Sequence, residues 1–138
     1  MNVLVTDAGF AADDWTTGFV AAAERAANDC SAAALDLASD ADPADLVECL
    51  EKTAMIRIDF PSFADGRGFT IAAQLRHMGF VGRLRARGHV IADQYAMARR
   101  AGFDEVEISD DLAARQPEPQ WLARADWRAH DYQARLRG

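Results

Sequence analysis

Lysine is nearly missing from this sequence: Lys52 stands alone, and every other basic side chain is an arginine or one of three histidines. Long apolar runs are missing too. None approaches the roughly eighteen residues a membrane span needs, so no membrane-embedded segment is expected. The opening residues MNVLVTDAGF have no basic start and soon meet Asp7, so they do not read as a secretory signal, and a cytoplasmic protein is expected. Cysteine is scarce. Cys30 and Cys49 are too few for a disulfide scaffold and lack the CxxC spacing of metal or redox pairs. Both sit beside apolar neighbours on predicted helices and are expected to be buried free thiols. His77, His89 and His130 show no HxH, HxxxH or HExxH spacing, which argues against a zinc site. There is no Walker lysine, no full GxGxxG, no cysteine cluster for iron–sulfur chemistry and no low-complexity stretch. The cofactor question therefore stays open.

What is present suits one globular domain over residues 1–138, with 50% hydrophobic and 27% charged residues. A net charge of −7 disfavours unspecific binding to nucleic acid. The charge is unevenly spread. Residues 1–65 hold 13 acids against 3 bases, whereas residues 66–138 hold 9 acids against 12 arginines. Between Arg67 and Arg100 there are seven arginines and a single acid, Asp93. Such a run is either a solvated basic face or a local site for a small anion within an acidic protein.

Strands and helices alternate along the chain. Strands are expected at Val3–Val5, Ala33–Leu37, Met55–Phe60, Leu84–Arg87 and Val106–Ile108, where β-branched or apolar residues sit between turn signals. Helices are expected from Asp13 or Asp14 to about Ala27, after Asp42–Pro43, over Thr70–Met78 and over Val90–Ala101. Two helices end in Gly-Phe, at Gly79-Phe80 and Gly102-Phe103, as helices commonly end in glycine. Residues 109–138 form a helical tail, broken near Pro117 and Pro119 and continuing from Trp121 to Leu136 with Trp127 and Tyr132. The pattern predicts an α/β fold: a parallel sheet of four to five strands with alternating helices. The sheet is partial (β/α)-barrel-like if consecutive strands lie side by side, or flavodoxin-like if they wind both ways from a central strand.

In either arrangement ligands bind beyond the carboxyl ends of the strands. That rule nominates Asp36 or Ser39, the loop Asp59–Phe69, the segment Arg85–His89 and the segment Glu107–Asp110. The loop reads DFPSFADGRGF. Pro61 holds it extended, Asp65-Gly66 turns it, and Gly68 permits close backbone approach. Gly66, Arg67 and Gly68 open a helix, where free amides and a guanidinium suit an oxyanion. The alternative is that Asp65 caps the helix and pairs with Arg67. Arg85 and Arg87 share a strand face, with His89 and Gln94 beyond them, as further anion or substrate contacts. Asp65, His89 and Asp93 are the candidate acid–base groups. Whether the chain is an enzyme is not decided by these residues.

The run from Phe60 to Ile108 carries several motifs together. These are Phe60, Pro61, Phe63 and Asp65–Phe69, then Gly79-Phe80, then Gly88, Val90, Asp93 and Gln94, then Gly102, Phe103 and Asp104. In these the sequence resembles the bacterial family DUF934, with a family-like core over residues 33–108. The resemblance implies a modest set of expectations. Members are labelled oxidoreductases and are encoded beside assimilatory sulfite reductase and sulfate-activation genes in proteobacteria. It therefore suggests an accessory protein of sulfite and sulfate reduction that binds a small anion, sulfite reductase or another sulfur-assimilation enzyme. A small enzyme acting on an anionic substrate is the alternative, and self-association stays open. Many members carry an acid or another polar residue at the place of His89, so the resemblance implies no universal catalytic role for it.

Overall fold

The computed structural model describes residues 2–25 and 29–128. The strands are β1 (Asn2–Thr6), β2 (Gly9–Ala11), β3 (Val20–Ala21), β4 (Ala34–Leu37), β5 (Met55–Phe60), β6 (Arg83–Gly88) and β7 (Glu105–Ser109). The helices are α1 (Arg67–His77), α2 (Tyr95–Ala101), α3 (Asp110–Arg115) and α4 (Glu118–Leu122), with short 3₁₀ turns elsewhere. All seven strands form one sheet in the order β2-β1-β7-β6-β5-β4-β3. From β3 to β7 neighbours are parallel, whereas β1 and β2 attach as an antiparallel hairpin on β7. The expected four to five strands thus become seven. The five parallel strands lie side by side in chain order, unlike the two-way winding of a flavodoxin-like sheet.

Strands laid down in chain order with right-handed crossovers place their connections on one face. Residues of alternating parity accordingly separate. Leu35, Leu37, Ile56, Ile58, Phe60, Leu84, Ala86, Val106 and Ile108 join one apolar core with Ile71 and Leu75 of α1, Tyr95 and Ala98 of α2, and Trp121 of α4. Trp121, from the expected helical tail, is 1% exposed and meets the Tyr95 ring edge-on. Pro117 and Pro119 start α4 rather than break a helix. Helix α4 stops at Leu122: residues 123–128, with Trp127, are turns and irregular chain and not the expected helix, while its last part, with His130 and Tyr132, lies outside the described residues.

Other differences have local causes. The expected helix from Asp13 is absent: residues 12–19 are irregular and cross the second face of the sheet. Asp13 and Asp14, which could have capped a helix, instead bind arginines on that face. After Asp42 only Pro43–Leu46 forms a 3₁₀ turn, although Asp42 does cap it through the amide of Ala44. That turn carries Cys49 to the segment entering β4, where it is disulfide-bonded to Cys30 with Cα atoms 5.1 Å apart, instead of remaining a free thiol. A separation of 19 residues gave no sign of this pairing in sequence. Helix α1 starts three residues earlier than expected. Both Gly-Phe stops are present, with Gly79 and Gly102 at φ of 104° and 117°, where a side chain would be strained. Arg76 ties these turns together, donating to the carbonyls of Phe80, Gly82 and Gly102 and pairing with Asp104. Among the described residues no helix is long and apolar enough to cross a membrane.

Gly68 shows how closely α1 seats on β5. A Cβ there would lie 2.5 Å from the Phe60 ring, which also meets Phe69 and Phe103. Its missing side chain therefore serves the core, not a ligand. Gly68→Ala is expected to lower stability by about 1–3 kcal/mol through overpacking, measured by urea denaturation, with part of the loss recovered when Phe60 is also changed to Leu.

Candidate functional site

The second face of the sheet is built of charge. Across one row Asp36, Arg57, Arg85 and Glu105 are cross-strand neighbours, and across the next Asp59, Arg87 and Glu107. Burying guanidinium groups demands complete pairing. The lower row achieves it. Arg57 grips Asp36 at 2.6 and 2.8 Å and reaches Glu107 at 3.0 Å. Arg85, with no exposed surface, binds Glu105 at 2.6 Å and Glu107 at 2.8 Å. The crossing segment completes the set: Asp13 meets Arg85, Asp14 meets Arg83, and the Phe19 ring lies 3.7 Å from the Arg57 guanidinium carbon.

Glu107 is the centre of this network. Its carboxylate accepts from Arg57, Arg85 and the Asn2 amide at 2.6 Å, and it is 3% exposed. Burial pushes its carboxyl up, but the hydrogen bonds from Asn2 and Arg85 and the charge of Arg57 outweigh that and hold it below its ordinary value.

The upper row is less satisfied. Arg87 is 44% exposed and has only a loose ion pair with Glu107, at 3.6 Å. It stands between two clefts at the carboxyl ends of the parallel strands. The first, about 240 Å³, is lined by Arg87, His89, Glu107, Ser109 and Arg115, with Asn2 and Phe63 at its sides. Arg115 has no hydrogen bond or ion pair among the described residues. Because Glu107 is already shared among arginines, the free charge in this cleft is positive. The second cleft, about 310 Å³, lies over β4, β5 and β6. It is lined by Asp36, Asp40, Arg57, Asp59 and Arg87, with alanines from β3, from the turn after it and from the loop after β4.

His89 Nδ1 lies 3.1 Å from the Phe60 carbonyl oxygen. A carbonyl can only accept, so Nδ1 carries the proton in the neutral ring and Nε2 keeps its lone pair. Phe63 packs edge-on against this ring, with centroids 5.0 Å apart.

The other expected site residues have different employment. Arg67 forms a two-point ion pair with Asp65, at 3.0 and 2.7 Å, and donates to Ser39 Oγ at 2.8 Å. Asp65 also accepts from the Arg67 amide. The helix start with Gly66 thus holds an anion of its own chain. Hydrogen bonds from the Arg67 guanidinium and amide keep Asp65 well below the usual carboxylate range, so it stays ionised at neutral pH. Asp93 pairs with Arg124 and lines neither cleft. Gln94 accepts from the Ile91 amide and donates to the Phe63 carbonyl, pinning the loop after β5 to the start of α2. Arg85 is consumed by the buried network. Of the candidate anion-binding and acid–base residues only Arg87 and His89 line the first cleft, beside Phe63, Glu107 and Ser109 from the nominated loop and strand end.

Asn2 and Arg115 were not anticipated. Asn2 arrives because β1 runs antiparallel to β7, with Asn2 opposite Ser109. Arg115 arrives at the end of α3, whose start is capped by Ser109 accepting from the Leu112 amide. The signals that could have found them are weak: a serine cap after a strand, and an arginine six residues beyond it.

The family model for DUF934, described as a bacterial protein of unknown function, matches residues 34–138. The match contains Asp59, Arg87, His89, Glu107 and Arg115 and excludes the crossing segment. No curated protein and no solved structure matches the chain.

Glu107 has a folded-state pKa below its unfolded value, so it adds stability above the ordinary carboxylate value of 4.5 that is lost as pH falls through the folded pKa. Glu107→Gln is expected to cost about 3 kcal/mol at neutral pH by stranding buried arginines. It should also flatten the loss of stability below pH 4.5 relative to wild type, as read from urea unfolding across pH.

Proposed function

This chain belongs to the DUF934 family, and from that premise we propose that it is a cytoplasmic accessory protein of sulfite and sulfate assimilation that binds a small oxyanion. The observation that carries the reading is the first cleft, where Arg87 and Arg115 offer guanidinium groups that no acid fully neutralises. Guanidinium forks match the oxygens of tetrahedral and planar anions. The cleft's volume, about 240 Å³, falls below the range typical of drug-sized ligands and favours a small ion with its waters. The setting in sulfur metabolism follows from the family's gene neighbourhood and makes sulfite and sulfate the first ligands to test. A sulfur-assimilation enzyme such as sulfite reductase is the matching partner, with the cleft delivering or sensing its anion.

Isothermal titration calorimetry at low ionic strength should show sulfite or sulfate binding. Arg87→Gln and Arg115→Gln are each expected to weaken it by roughly tenfold or more, while Arg67→Ala binds as wild type because its guanidinium belongs to Asp65. Absence of binding of either anion by the wild type would overturn the reading.

A second reading, a small enzyme acting on an anionic substrate, is favoured by His89. Its free Nε2 belongs to the cleft, and an imidazole of fixed tautomer can move a proton at a bound oxyanion. The expectation is that the uncharged ring of His89 is the Nδ1–H tautomer. Long-range ¹H–¹⁵N correlation spectra would check this, and the opposite tautomer would remove His89 as a base facing the cleft.

A further inference from the structure

We propose that the clefts flanking Arg87 form one bipolar site for a short zwitterion, with its anionic head between Arg87 and Arg115 and its ammonium group on Asp59. The inference rests on the anion reading above and adds the second half of the ligand.

The observation behind it is an unmade ion pair. On the charged face Asp36, Glu105 and Glu107 each bind an arginine, and so do Asp13 and Asp14 of the crossing segment. Asp59 does not. It is the direct cross-strand neighbour of Arg87, yet its carboxylate has no hydrogen bond or ion pair among the described residues. Two opposite charges that sit side by side and stay apart leave one unsatisfied group in each cleft: Asp59 in the second, and Arg87, which lines both. A ligand carrying one charge of each sign satisfies both groups at once; a simple anion leaves Asp59 repelling it from across the strand.

The chemistry of the two ends differs. An ionised carboxylate only accepts, and an ammonium offers three donors. An ammonium on a short apolar stem matches a single carboxylate beside the alanine methyl groups of this cleft. Between the charges the second cleft offers methyl surface, from Ala22 and Ala38 among others, suited to a stem of a few methylenes. Neither cleft has room for a nucleotide-sized group, at about 240 and 310 Å³. The class of ligand is an ω-amino alkyl anion.

Calorimetry with matched pairs tests this directly: taurine against ethanesulfonate, and 3-aminopropanesulfonate against propanesulfonate, with sulfate alongside. The wild type should bind at least one amino compound roughly tenfold or more tighter than its amine-free partner. Asp59→Asn, near-isosteric at an exposed position, should bring the two affinities of that pair together and leave the thermal unfolding midpoint unchanged. If sulfate binds but neither amino compound gains over its partner, the bipolar site is wrong and the anion reading survives. An advantage that persists in Asp59→Asn removes the ammonium from Asp59 and overturns the assignment. If none of the five compounds binds, this inference falls, and the anion reading falls with it when sulfite fails to bind as well.

Discussion

The architecture depends on one buried carboxylate. Glu107 draws Arg57 and Arg85 towards β7 and ties Asn2 of the terminal strand to the same point. Without acids at this depth, guanidinium groups could not line the second face of the sheet, because desolvating them unpaired costs far more than hydrophobic burial returns. The apolar face and its helices resemble many α/β proteins in principle. The charged face makes this one distinctive.

Charge balance also explains the path of the N-terminal segment. Asp13, Asp14 and Phe19 lie over Arg83, Arg85 and Arg57, supplying two carboxylates and an aromatic ring to a surface that is otherwise short of partners. Those contacts use the residues that would have capped and faced a helix, and the segment stays irregular. It leads directly into β3 and the turn after it, whose alanines line the second cleft.

The site candidates gain rigidity from the same source. Arg87 stands beside Glu107, which is locked by Arg57, Arg85 and Asn2, and the Asp59–Phe69 loop is held at two points, by Arg67 on Ser39 and by Gln94 on Phe63. A ligand meeting such groups loses little to ordering the protein. The loop is thus a fixed wall, and its most conspicuous residues, Asp65 and Arg67, satisfy one another. Their sequence pattern is conspicuous because a tight turn, a helix start and the Phe60 contact at Gly68 converge there.

Much of this was legible in the chain. Period-two alternation in MIRIDF located β5 to the residue, and Gly-Phe located both helix ends, because these signals are local and rest on backbone geometry. The seven arginines between Arg67 and Arg100, and the rule that parallel strands present ligands at their carboxyl ends, also pointed to the sheet edge where Arg87 lines two clefts. Sequence by itself determined β4, β5, β6 and β7 of the parallel core, though not β3, and the concentration of arginine along its second half. Only tertiary structure decided which arginines keep free charge. Arg85 and Arg87 are two residues apart on one face, yet one is closed off by Glu105, Glu107 and Asp13 and the other stands open between clefts. That difference comes from partners some 20 to 72 residues away, brought close by strand order and a crossing segment, and no local pattern encodes a charge neutralised at such a distance.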